Sequence, residues 1–148
     1  MPHFGLMDEH TMPREQAALL RAKLHIRCGM RRMREGKTAA GLTTIYDAVL
    51  SGMRWRILTT PLKERLGSDV AERLENERVV VSLMRKAGIL DGSFDWEQFQ
   101  NLVDRTLMEE TVAVDAETLL AAVERLMTRL GVMPFDESEL PAEDQAVF

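Results

Sequence analysis

The stretch from Arg14 to Leu58, REQAALLRAKLHIRCGMRRMREGKTAAGLTTIYDAVLSGMRWRIL, constrains the fold more than any other part of the chain. It reads as two helices joined by a tight turn. In the first, Leu19, Ala22, Ile26, Met30 and Met33 fall on one stripe at helical spacing, as a bundle seam requires. Thr11 is a candidate N-cap, Pro13 sits where its missing N–H costs little, and Gly36 is a natural stop. Thr38 is placed to cap the second helix, whose apolar stripe is Leu42, Ile45, Tyr46, Val49, Leu50, Met53 and Ile57. A further face of that helix carries Gly41, Ala48 and Gly52. Glycine inside a helix costs about 0.5–1 kcal/mol relative to alanine, so a pair of them implies that another backbone comes close. That small face is the candidate subunit interface. With apolar or small groups on most of its surface, the second helix is expected at the centre, and Asp47 and Arg54 are its clearest polar exits.

Charge is distributed unevenly. Between Arg14 and Lys37 eight basic residues face only Glu15 and Glu35, a balance of +6. Residues 38–148 hold eleven basic against twenty acidic side chains, and the chain as a whole is at −5. The basic groups divide around the seam, with Arg14, Arg21, His25 and Arg32 on one flank and Lys23, Arg27, Arg31 and Arg34 on the other. All of these but Arg14, together with Lys37, form the candidate binding patch. Guanidinium groups match phosphate oxygens, which makes nucleic-acid or phosphate-ligand binding the alternative function for this helix. Two features weigh against it: the cations are split between flanks, and no aromatic residue lies among them for base stacking. The plain reading is a charged face neutralised by the acidic helices or by the tail of the same chain.

Beyond Leu58, Thr59–Thr60–Pro61 breaks the helix. Ser68 or Asp69 is expected to cap a third helix running to about Ala87. In it Arg73 and Glu77 form an i,i+4 pair on a largely apolar arc, read either as a buried pair or, preferably, as an ion pair at the bundle's edge. Asp95 with Gln98 three residues on resembles a capping box for a fourth helix over 96–110, expected to bury Phe99, Leu102, Val103 and Leu107, and Phe94 is placed to staple onto Phe99. Asp115 can cap a fifth over 116–130, ended by Gly131 and Pro134. The fold class is therefore all-α: a five-helix bundle with a long N-terminal antiparallel helical hairpin. Residues 1–12 form an N-terminal arm, 13–133 the bundle domain, and 134–148 an acidic tail expected to be flexible.

Catalytic signatures are missing. There is no glycine-rich phosphate loop, G-x-S-x-G elbow or H-E-x-x-H, and His3, His10 and His25 all fall within the first 25 residues. His25 and Cys28 stand at i,i+3 and could touch one metal, but two ligands do not close a zinc site; a surface histidine and a partly buried cysteine is the preferred reading. No catalytic residue, metal or cofactor is assigned. Cys28 is the only cysteine, which favours a reducing compartment. No stretch approaches the ~18 apolar residues of a membrane span, so a cytoplasmic protein without membrane attachment is expected. Helices that are apolar on two sides, and ten methionines, point to a homodimer.

Residues 33–58, MREGKTAAGLTTIYDAVLSGMRWRIL, resemble the HEPN-type helical bundle, in which a small-residue turn precedes a helix with an alanine/aromatic signature like Tyr46–Asp47–Ala48. The resemblance implies a four- or five-helix bundle that often dimerises. Some HEPN domains are toxin-side ribonucleases and others are partners of minimal nucleotidyltransferases. Catalytic members place a histidine four to six residues beyond an arginine. Here Arg21 and His25 lie on a different helix from the one that carries the signature, so the resemblance implies a non-nucleolytic member. The expected function is that of a non-enzymatic helical interaction or adaptor protein that self-associates and binds an as yet unspecified protein partner.

Overall fold

The computed structural model describes residues 12–61, 63–64 and 67–143. Thr11 and the rest of the arm to residue 11, and the tail from residue 144, lie outside the described residues. The α-helices of the described residues include α1 (Arg14–Arg34), α2 (Thr38–Leu58), α3 (Val70–Arg73), α4 (Glu77–Lys86), α5 (Trp96–Leu107) and α6 (Ala116–Leu130). Short 3₁₀ turns cover Gly67–Asp69 and Glu137–Glu139, and no strand occurs among the described residues. The fold is the all-α bundle with an N-terminal helical pair, with its third helix divided into α3 and α4.

That division has a local cause. The chain leaves the helix at Leu74, and the Asn76 side chain accepts a hydrogen bond from the Arg78 N–H, capping α4 anew. Asparagine competes with the helical backbone for such bonds, so it favours a cap over an interior position. The Leu74 carbonyl, freed by the break, accepts the Nε–H of Arg54 at 2.8 Å. The two acid caps stand where expected, Asp95 on the Gln98 N–H at 3.0 Å and Asp115 on the Thr118 N–H at 3.2 Å. Thr38, by contrast, is the first residue of α2 and caps nothing with its side chain.

α2 is the axis of the bundle, touching α1, α4, α5 and α6. Leu42, Ile45, Ala48, Val49, Met53 and Ile57 are fully buried along it. Its contact with α1 is close. A methyl group added at Gly29 would lie 2.6 Å from Cγ1 of Ile45 and 3.4 Å from the Gly41 carbonyl oxygen, and one at Gly41 would meet Met33 at 2.7 Å. Gly52 faces the end of α6 instead, with Val132 and Leu130 within 3.4 Å of where its Cβ would be. The small face of Gly41, Ala48 and Gly52 is thus consumed inside the subunit. This corrects its assignment as a subunit interface: two different elements of the same chain fill it.

Around α2, Val80, Val81 and Met84 of α4, Trp96, Phe99 and Val103 of α5, and Val123, Leu126, Met127 and Leu130 of α6 close the core. Phe94 packs edge-on against Phe99 with centroids 5.7 Å apart, and Tyr46 stacks on Trp96 at 5.4 Å. Leu107, expected in the core, is 66% exposed at the end of α5. There Glu109 adopts φ 61°, the left-handed conformation that glycine supplies at most such helix ends, and the Glu110 N–H donates to the Arg105 carbonyl.

Two stability changes follow from this geometry. Gly29→Ala should lower unfolding free energy by about 1–3 kcal/mol in urea titrations, overpacking outweighing alanine's better helix propensity. Glu109→Gly should raise it by about 1 kcal/mol by removing the left-handed strain.

Candidate functional site

The cations of α1 project to both sides of its buried seam, and each flank meets different chemistry. On the first, Arg21 forms a bidentate pair with Asp47 of α2, Nε to Oδ2 at 2.9 Å and Nη2 to Oδ1 at 3.1 Å. Nδ1 of His25 lies 2.5 Å from the same Oδ2. His25 is only 2% exposed, which corrects its placement in a surface patch: it stands one turn after Arg21 and is drawn inward to the same carboxylate. Burial by itself would raise the Asp47 pKa. Hydrogen bonds from His25 and Arg21 outweigh that effect and hold the carboxyl at about 2, against an ordinary 3.8. Further along, Nη1 of Arg32 donates to the Thr44 hydroxyl at 2.8 Å, and that hydroxyl donates to the Ala40 carbonyl.

On the second flank the partner is the C-terminal segment. Lys23 Nζ lies over the Phe135 ring, 5.8 Å from its centroid. Arg27 Nη2 donates to the Pro141 carbonyl at 2.6 Å, and Arg31 Nε to Glu143 Oε2 at 3.0 Å. Arg31 also reaches Glu35 through Nη1 at 2.9 Å, and Lys37 Nζ stands 3.0 Å from the same carboxylate. Hydrogen bonding to Glu35 is the main reason that the Arg31 pKa is raised, with Glu143 adding to it against the opposing effect of burial. Residues 134–143, read from sequence as a flexible tail, therefore lie along α1. An acidic run with no basic residue of its own looks unpartnered until a helix more than a hundred residues earlier supplies the cations.

Arg34 is exposed at the end of α1, and no ion pair joins it to another described residue. Arg73 and Glu77 do not pair, because the helix break at Leu74–Asn76 separates them; both are exposed. Glu77 instead accepts the Tyr46 hydroxyl proton at 2.6 Å, tying α4 to α2. Burial first, and Glu77 second, push the Tyr46 pKa up.

His25 and Cys28 do not converge on a metal. The Cys28 thiol, fully buried, has Arg31 Nη2 at 3.7 Å and Glu143 beside it. Its pKa is raised chiefly by burial. Among the described residues, no group of three or more His, Cys, Asp or Glu side chains could hold a metal ion. Nor is any helix among them long and apolar enough to cross a membrane.

The residues that sequence reasoning missed are acceptors: Asp47, Thr44, Pro141 and Glu143. Asp47 carried a usable signal, as the only acid of α2 beside a strongly basic helix. The Pro141 carbonyl carried none, since any residue supplies one.

The Asp47 cluster gives a pH prediction. A carboxyl whose folded pKa lies below its unfolded value stabilises the fold above the unfolded pKa, and that contribution is lost as pH falls through the folded one. Asp47→Asn should cost about 2 kcal/mol at pH 7 in urea unfolding. The gap to the wild-type chain should narrow as pH is lowered from 3.8 towards about 2. An unchanged gap at the acid end would rule out the carboxylate as its source.

The chain matches no family model, and neither a curated protein nor a solved structure shows detectable similarity to it.

Proposed function

We propose that this chain is a non-enzymatic helical interaction protein that self-associates and binds a macromolecular partner. The observation that carries the reading is the end of α5, where Leu107 and Met108 stand side by side in solvent, 66% and 78% exposed. Fully burying a side chain of this size contributes roughly 1.5–3 kcal/mol, so two neighbouring ones are a substantial unmet driving force for association. The contact surface is accordingly placed at this end of the bundle, and not on the small face of α2, which the chain itself fills. The likeness of residues 33–58 to HEPN-type bundles, which often pair, supports the same reading for a non-nucleolytic member.

Nucleic-acid or phosphate binding through α1 is the weaker alternative. Arg21 is matched to Asp47, Arg27 and Arg31 to the C-terminal segment, and Lys37 to Glu35. A cation already paired within its own chain offers little counterion release to a phosphate backbone.

Sedimentation equilibrium over a wide concentration range tests the proposal. A monomer–dimer equilibrium is expected, weakened at least tenfold by Leu107→Asp or Met108→Asp with helical content unchanged. A chain that stays monomeric throughout, or a dimer indifferent to both substitutions, would sink it.

A further inference from the structure

Three cations of α1, spaced four residues apart, meet three points of the C-terminal segment in the same chain direction: Lys23 with Phe135, Arg27 with Pro141 and Arg31 with Glu143. The second interval has the same length on both sides. Four residues of helix advance about 6 Å, and two residues of extended chain advance about 6–7 Å. Leu140, at the start of this run, is extended, with φ −91° and ψ 152°. The six residues from Phe135 to Pro141 answer a single turn of α1 because the 3₁₀ turn at Glu137–Glu139 takes up the excess. Between Arg27 and Arg31 the flank of α1 thus reads two positions of the acidic segment that stand two residues apart, one backbone carbonyl and one carboxylate.

The fit is incomplete. Arg27 Nε is buried and finds no hydrogen-bond partner. Glu143 is 11% exposed and covers Cys28 on the side of Arg31.

We propose that the α1 flank of Lys23, Arg27 and Arg31 is a docking groove for an acidic, extended peptide segment of a partner protein, with residues 135–143 occupying it in cis until such a segment displaces them. A tethered segment acts at an effective concentration in the millimolar range, so the groove is closed to weak competitors and open to a segment that pairs better. The acceptors that the groove takes up here are those of a peptide, and α1 offers no aromatic side chain on which a base could stack. The proposal rests on the reading of the chain as an interaction protein. Its test leaves α5 untouched, so its failure would leave association through Leu107 and Met108 standing.

Cys28, the only cysteine, is a built-in reporter. In the full-length chain, Glu143→Lys and the milder Glu143→Gln should raise the rate of Cys28 labelling by a thiol reagent at least tenfold, with circular dichroism unchanged. A synthetic FDESELPAE peptide, residues 135–143, should return the rate of either variant towards the wild-type value with saturation. The same peptide carrying Glu143→Lys should not. The wild-type chain should bind the peptide at least tenfold more weakly than the variants. Labelling at the wild-type rate in both variants would overturn the proposal, as would equal peptide affinity for wild type and variants. Protection by a single-stranded RNA of matched charge, as effective as the peptide, would also overturn it, because the flank would then be reading charge alone.

Discussion

The close approach of α1 to α2 is the constraint on which the other contacts depend. Gly29 lies against Ile45 and the Gly41 carbonyl, with no room for a side chain at either glycine. Across that contact Arg21 reaches Asp47 with both nitrogens and Arg32 reaches Thr44, at distances within the narrow span in which hydrogen bonds are strong. The pairing also sets the face that α2 turns towards α4, α5 and α6, and so decides which apolar side chains of those helices meet a partner.

Electrostatics is organised by the same pair. A helix with so dense a positive charge would repel itself if left bare, and the fold relieves this with acceptors drawn from three places in sequence. Asp47 comes from the neighbouring helix, Glu35 from one turn along, and Glu143 from the far end of the chain. The exposed Arg31–Glu35 pair contributes little by itself. Asp47 differs because one carboxylate serves two donors, whose hydrogen bonds outweigh the opposing effect of burial and hold its pKa low. The charge of α1 is thus mostly an internal matter, and the surfaces left for recognition are the apolar end of α5 and the strip under residues 135–143.

Much of the architecture was legible in the residues. The stripe of α1, the central position of α2, the Asp95 and Asp115 caps and the Phe94–Phe99 staple all rest on local rules of spacing and capping. The division of the third helix is not legible, because the apolar pattern runs on through Asn76 and hides its cap. Leu107 differs from its expected place for a related reason: helical spacing assigns it a face, but the face ends where the helix runs past its neighbours. Of the candidate basic patch the residues are legible, and so is the acidic tail as a source of partners, but not the individual acceptors.

What the sequence by itself determined is the set of helices and the asymmetry of charge, because periodicity, capping and composition act over a few residues. Tertiary structure alone decided that His25 turns inward to Asp47, that the glycines of α2 serve two neighbours of the same chain, and that an acidic C-terminal run lies along a basic helix. These depend on which distant segments come within about 3 Å of each other, the range at which a hydrogen bond forms. No local pattern encodes that distance; it is fixed only when the helices have packed.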